Sequence, residues 1–144
     1  HYKIHKMTIQ DIIISTVITI LPLGYLVPET YIRCWDVGGV YVYDKNSKTS
    51  KIYVCDTNDN EFTKYHELWH KLWIEWHISD VDKEIYTKEY ERALKRWISA
   101  FYRPYSMTSV EEDGADLFAL IMTKQKIKIS MKKRDKLIRQ MLTK

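Results

Sequence analysis

The segment 61–77 constrains this chain more than any other. Tyr65, Trp69, Leu72, Trp73 and Trp76 recur at the spacing of one helical face. That pattern predicts a helix over 61–77, seated on the rest of the protein along an aromatic stripe. The same helix carries His66-Glu67-Leu68-Trp69-His70, the pattern HExxH. Residues i and i+4 stand one turn apart on one face, so both imidazoles are offered to a single ion. Glu67 projects beside them. Average residue usage places a chance HExxH in roughly one chain of this length in a few hundred. Here the helical setting, the aromatic back face and a preceding strand all agree on a metal site.

The chemistry expected of such a site follows from the residue types. Zn²⁺ lowers the pKa of a bound water towards about 7, and Glu67 is placed to take the proton that water loses. Catalytic zinc takes three protein ligands and keeps one position open, so a third ligand is required. The arrangement with a glycine three residues past the second histidine and a third histidine three further on is excluded, because Trp73 and Trp76 occupy those positions. His77 lies about 10 Å further along the axis than His70 and cannot share the ion. A carboxylate on a later helix remains. In Val110-Glu111-Glu112-Asp113-Gly114-Ala115-Asp116-Leu117-Phe118-Ala119, residues Glu112, Ala115, Asp116 and Ala119 share one face. The two alanines on that face allow close approach to the HExxH helix. Glu112 is the favoured ligand, with Glu111, Asp113 and Asp116 as competitors. Some of these acids simply favour the positive end of a helix dipole.

The remainder of the chain reads as one α+β domain over 1–144, with the strands ahead of most of the helices. Thr8 caps a predicted helix over 9–21, stopped by Pro22, although its β-branched residues also suit a strand. Residues 31–35 look extended. Residues 38–43 alternate as a strand, 44–50 turn, and 51–55 return as the second arm of a hairpin. Ser79 or Asp80 caps a helix over 81–102 that ends before Pro104. Thr108 or Ser109 caps another over 110–123, and a basic amphipathic helix follows Ser130. The expected fold is therefore a short twisted sheet with a hairpin, packed on the 61–77 helix with three to four further helices. An N-terminal helix and extended segment precede it over 1–35, and a basic segment closes it over 124–144.

Charge is unevenly distributed. Residues 124–144 hold nine Lys/Arg against one Asp, whereas 1–123 hold 14 basic and 18 acidic residues. An anionic partner for the basic helix follows as one expectation; the blander one is a solvated outer face, with Leu137, Ile138, Met141 and Leu142 turned inward. No specific nucleic-acid motif is present. The apolar run 12–26 is interrupted by Ser15, Thr16, Thr19 and Pro22 and is shorter than the about 20 residues of a membrane span, so a buried core segment is expected. A chain starting at His1 reads as one trimmed at its N-terminus. Eleven Tyr and five Trp exceed what a small core needs, and the surplus suits a groove. Cys34 and Cys55 are too few for a disulfide framework and leave both the compartment and their own pairing open.

These residues resemble the gluzincins, zinc peptidases in which HExxH is followed by a glutamate ligand on a second helix. The nearest likeness is to the small catalytic domains of the anthrax lethal factor and Pro-Pro endopeptidase type, and it spans roughly 38–122. In that type the second helix reads E-x-x-A-E with a tyrosine shortly before it. This chain has Glu112-Asp113-Gly114-Ala115-Asp116, with Asp in the last place, and Tyr105 seven residues before Glu112. The resemblance implies a zinc metalloendopeptidase with His66, His70 and Glu112 as ligands and Glu67 as base. It further implies Tyr105, with Tyr102 in reserve, as hydrogen-bond donor to the oxyanion, and Asp116 as the acceptor that orients a liganding imidazole. A second resemblance, to the ImmA/IrrE-type peptidases that cleave repressors, rests on Phe62-Thr63 ahead of HExxH and on Glu112-x-x-Ala115-Asp116-x-Phe118-Ala119. It selects the same three ligands. A peptide or protein substrate is expected to lie along the edge of strand 38–43. The reading from another class is a metal-binding interaction module that does not cleave.

Overall fold

The computed structural model describes residues 18–21, 26–27, 32–33, 38–55, 60–75 and 77–144. The hairpin predicted in the sequence is present as β4 (Gly39–Asp44) and β5 (Thr49–Cys55), antiparallel with Gly39 opposite Val54 and Asp44 opposite Thr49. Asp44 Oδ1 accepts the backbone N–H of Asn46 at 2.9 Å, and Lys48 takes a left-handed φ of 55° to close the turn. Ile52, Val54 and Cys55 of β5 are buried. Cys55 is disulfide-bonded, and Cys34, the only other cysteine in the sequence, lies outside the described residues.

A parallel strand, β1 (Ile18–Leu21), lies on the other side of β5, with Ile18 opposite Ile52. This corrects the helix expected over 9–21. Ile18, Thr19 and Ile20 are β-branched and suit a pleated strand, and β5 supplies the ladder partners that a lone helix end would lack. The rest of that expected helix, and most of the run 12–26, lies outside the described residues. β2 (Leu26–Val27) and β3 (Ile32–Arg33) form a separate two-stranded ladder; of the stretch expected to be extended over 31–35, only these two residues of β3 are described. The order β1-β5-β4 leaves β4 at the edge among the described strands.

Four α-helices follow: α1 (Asn60–Ile74), α2 (Asp80–Leu94), α3 (Val110–Met122) and α4 (Lys132–Leu142). The HExxH helix therefore has three α-helical companions among the described residues, and the α+β class is as expected. Ser79 and Ser109 cap α2 and α3, their side chains accepting the backbone N–H of Asp82 and Glu112 at 3.1 Å. α2 stops at Leu94, short of the predicted 102. Tertiary contacts decide this: Ala100 and Phe101 turn inward to pack with Tyr90 and Ala93, and the Phe101 carbonyl takes a bond from Lys128 Nζ at 2.6 Å. Two 3-10 turns, Trp97–Ala100 and Pro104–Met107, occupy the space instead.

α3 is buried over most of its circumference, from Asp113 to Ile121, and α1 lies against it. Trp69, Leu72, Tyr86, Phe118 and Ile52 meet in the main core. Gly114 sets the spacing of α1 and α3: a Cβ there would stand 2.5 Å from Trp69 Nε1. α4 buries Ile138 and Met141 as its pattern predicted, but one of its cations is buried as well. Arg134 pairs with Asp113 at 2.5 Å, and Asp113 also accepts the Tyr86 hydroxyl at 2.6 Å. That buried pair locks α4 onto α3 and α2.

Candidate metal centre

Three side chains from two helices converge. His66 and His70 present their rings one turn apart on α1, with centroids 5.1 Å apart. Glu112, in the first turn of α3, faces both: Oε2 lies 3.0 Å from His66 Nε2 and Oε1 lies 3.1 Å from His70 Nε2. One ligand atom from each of the three lies within 4.8 Å of the others.

The outer nitrogens of the two imidazoles are also accounted for. His66 Nδ1–H donates to Asp116 Oδ1 at 2.7 Å, and Glu111 Oε2 stands 3.5 Å from His70 Nδ1. An Nδ1–H held by a carboxylate leaves the Nε2 lone pair free to bind an ion. The shorter side chain of Asp116 reaches because Gly114 and Ala115 let the helices close. Asp116 in turn accepts from Arg103, Nε to Oδ2 and a terminal nitrogen to Oδ1, both at 2.8 Å, and from Ser106 Oγ at 2.6 Å.

Electrostatics follow from this arrangement in the absence of an ion. Burial alone would lower both histidine pKa values, but the facing carboxylates outweigh it. His66 is raised by Asp116 and Glu112, and His70 is pushed up to about 10 by Glu111 and Glu112. Burial would raise Glu112, yet the two imidazoles hold it well below the usual carboxylate range. Glu67 is raised, chiefly by burial, with His66 and His70 opposing. The backbone of Tyr41 on β4 stands close enough to oppose that rise as well. Gly39 permits that proximity, since a Cβ there would stand 2.7 Å from Thr63 Cγ2 and 3.0 Å from Glu67 Cγ.

The donor set fits a divalent cation. Glu112 Oε2 is buried and makes no hydrogen bond, although His66 Nε2 is 3.0 Å away. A proton satisfies this geometry poorly; an ion between the three groups satisfies all of them. Tetrahedral bonds of about 2.0–2.1 Å separate neighbouring ligand atoms by about 3.3 Å; Glu112 stands at 3.0 and 3.1 Å from the two imidazoles through its two separate oxygens, and one ligand atom from each residue lies within 4.8 Å of the others. Two imidazoles and a carboxylate suit Zn²⁺ without being exclusive to it.

Tyr105 lies on the 3-10 turn that leads into α3, its ring 6.1 Å from that of His66. Burial and the Glu112 carboxylate push its hydroxyl up to about 12. Tyr102 instead packs its ring on Phe62, with centroids 5.5 Å apart. The competing acids separate as well: Asp113 belongs to the Arg134 pair, while Glu111 and Asp116 support the histidines from behind. His77 lies past the end of α1 and outside the cluster. Arg103 and Ser106 escaped the sequence reading. Their only signal was indirect: Asp116 sits one turn after Glu112, so its partners must border the site. No protein-family model, curated protein or solved structure matches this chain.

Proposed function

We propose that the chain is a zinc-dependent endopeptidase of the gluzincin arrangement, with His66, His70 and Glu112 holding the ion. One observation carries the reading: Glu67 shares a turn with both histidines, is buried beside them, and is not drawn into the cluster of ligand atoms. A purely structural metal site has no use for a carboxylate so placed. Zn²⁺, when bound, supplies a Lewis acid that polarises the scissile carbonyl and acidifies water.

The chain's own residues supply the remainder. Glu67 accepts the proton of the attacking water and returns it to the leaving amine. The Tyr105 hydroxyl donates to the oxyanion that develops at the carbonyl. Arg103 and Ser106 hold Asp116, which holds the tautomer and orientation of His66. β4, an edge strand among the described residues, runs beside Glu67, and there an extended substrate pairs with the backbone. The alternatives, a repressor-cleaving enzyme or a metal-binding module that does not cleave, use the same ligands and differ in outcome.

The test is hydrolysis of a peptide library by parent and Glu67→Gln, each with and without a chelator. Cleavage that needs metal and falls by at least about 10²–10⁴-fold in Glu67→Gln, with zinc content kept, supports the proposal. Equal turnover by the two proteins, or none by the metal-loaded parent, refutes it.

A further inference from the structure

Away from the metal centre the fold assembles a surface that the proposed catalysis does not use. Residues 92–110 and 117–134 contain no Asp or Glu. Only residues 111–116 separate the two stretches, and their outer parts meet at a seam where Ser130 Oγ donates to the Ser99 carbonyl at 2.8 Å and Lys128 Nζ to that of Phe101. The 3-10 turns Trp97–Ala100 and Ile129–Met131 touch along it.

Each turn holds an apolar side chain out into water beside the seam. Trp97 is 71% exposed and Ile129 is 90% exposed. Trp97 also has φ of 62°, a left-handed conformation that a bulky residue adopts only when its surroundings impose it. Around the pair, Lys95, Arg96, Lys126, Lys132 and Lys133 are exposed and form no ion pair among the described residues. A small recess at the seam is lined by Arg92, Arg96, Ser130, Lys133 and Arg134 together with one acid, Glu89, which pairs with Arg92.

From these features we infer that this face docks on an anionic lipid bilayer. The exposed lysines and Arg96 meet the headgroup charge, and Trp97 and Ile129 enter the interfacial layer. Charge complementarity alone fits any polyanion. The two exposed apolar side chains choose the bilayer, because tryptophan favours the headgroup level and isoleucine gains only where water is left behind. A nucleic-acid backbone offers neither environment.

The experiment is co-sedimentation of the full chain with phosphatidylcholine vesicles, with and without about one-third phosphatidylserine. Binding is expected only to the anionic vesicles and weakens with salt. Trp97→Ser combined with Ile129→Ser should weaken it at least about tenfold, and Lys132→Gln or Lys133→Gln about fivefold each. Brominated lipid should quench part of the tryptophan emission of the parent, and that part should vanish in Trp97→Phe, which keeps the apolar ring. The proposal falls if the double serine variant binds as the parent does, if Trp97→Phe is quenched as much as the parent, or if the chain binds a DNA duplex and not the vesicles.

Discussion

Gly114→Ala offers the sharpest test of how the proposed metal centre is held. The added methyl would meet Trp69 Nε1 at 2.5 Å, Cε2 at 2.8 Å and Cζ2 at 3.0 Å. Ordinary contact of carbon with these atoms is about 3.5–4.0 Å, so about 1 Å must be found. Trp69 cannot yield it by turning. It is fully buried, with Phe118, Trp73 and Tyr86 rings at 5.4, 6.1 and 6.4 Å. α1 and α3 must therefore move apart. Overpacking of this kind costs about 1–3 kcal/mol, and the better helix propensity of alanine offsets about 1 kcal/mol. The net, about 0–2 kcal/mol of loss, lowers the melting temperature by up to about 8 °C at this chain length. The same movement carries Glu112 from the histidines and Asp116 from His66 Nδ1, so zinc affinity should fall about 10–100-fold, the usual effect of disturbing a ligand's support. Calorimetric melting of the chelated protein and competition with a chromophoric chelator read the two effects. Trp69→Phe, which removes the indole nitrogen, should partly restore both in the double variant. If Gly114→Ala melts and binds zinc as the parent does, close helix approach is not what holds the site together.

Further outcomes follow from the same geometry. Glu112→Ala should abolish tight zinc binding, whereas Glu111→Ala, which removes only the carboxylate behind His70, should weaken it about tenfold; the opposite order in metal analysis would reassign the third ligand. Tyr105→Phe should keep zinc and lose about 10²–10³-fold in kcat, as for removal of one oxyanion donor, while Tyr102→Phe should change kcat little; equal effects in a kinetic assay would reject the assignment. The metal-free protein should become less stable as pH rises. The folded pKa of His70 is about 10 against an ordinary 6.5, so its contribution is complete below 6.5 and lost as pH passes through about 10. Glu67, also raised, acts in the same direction above its ordinary value. Glu112, lowered, contributes above the ordinary carboxylate pKa and loses its contribution only in acid. Melting temperatures of chelated protein between pH 7 and 10 should fall, and those of zinc-loaded protein should fall less; a flat chelated profile would show that the carboxylates do not hold the histidines charged.

Much of the site was legible in one dimension because helical geometry is local. The positions of His66, Glu67 and His70 relative to one another need only a rise and a twist per residue, and the alignment of Glu112 with Asp116 needs the same. Helix caps were narrowed to Ser79 or Asp80 and to Thr108 or Ser109, and the hairpin ending at Cys55 was readable too, since each depends on a few neighbouring residues. What failed in the sequence depended on distant partners. Ile18–Leu21 became a strand because β5 offers hydrogen-bond partners that no local pattern records. α2 stopped at Leu94 because Phe101 gains more in a core shared with Tyr90 than in another helical turn. Four adjacent acids that the sequence ranked only by preference were sorted by what faces them: the two histidines for Glu112, Arg134 and Tyr86 for Asp113, His66 with Arg103 for Asp116, and His70 for Glu111. Periodicity thus determined which residues could share a face. Only the packing of α1 on α3, at a separation that Gly114 and Trp69 permit, determined which of them meet, because burial and charge act through space and not along the chain.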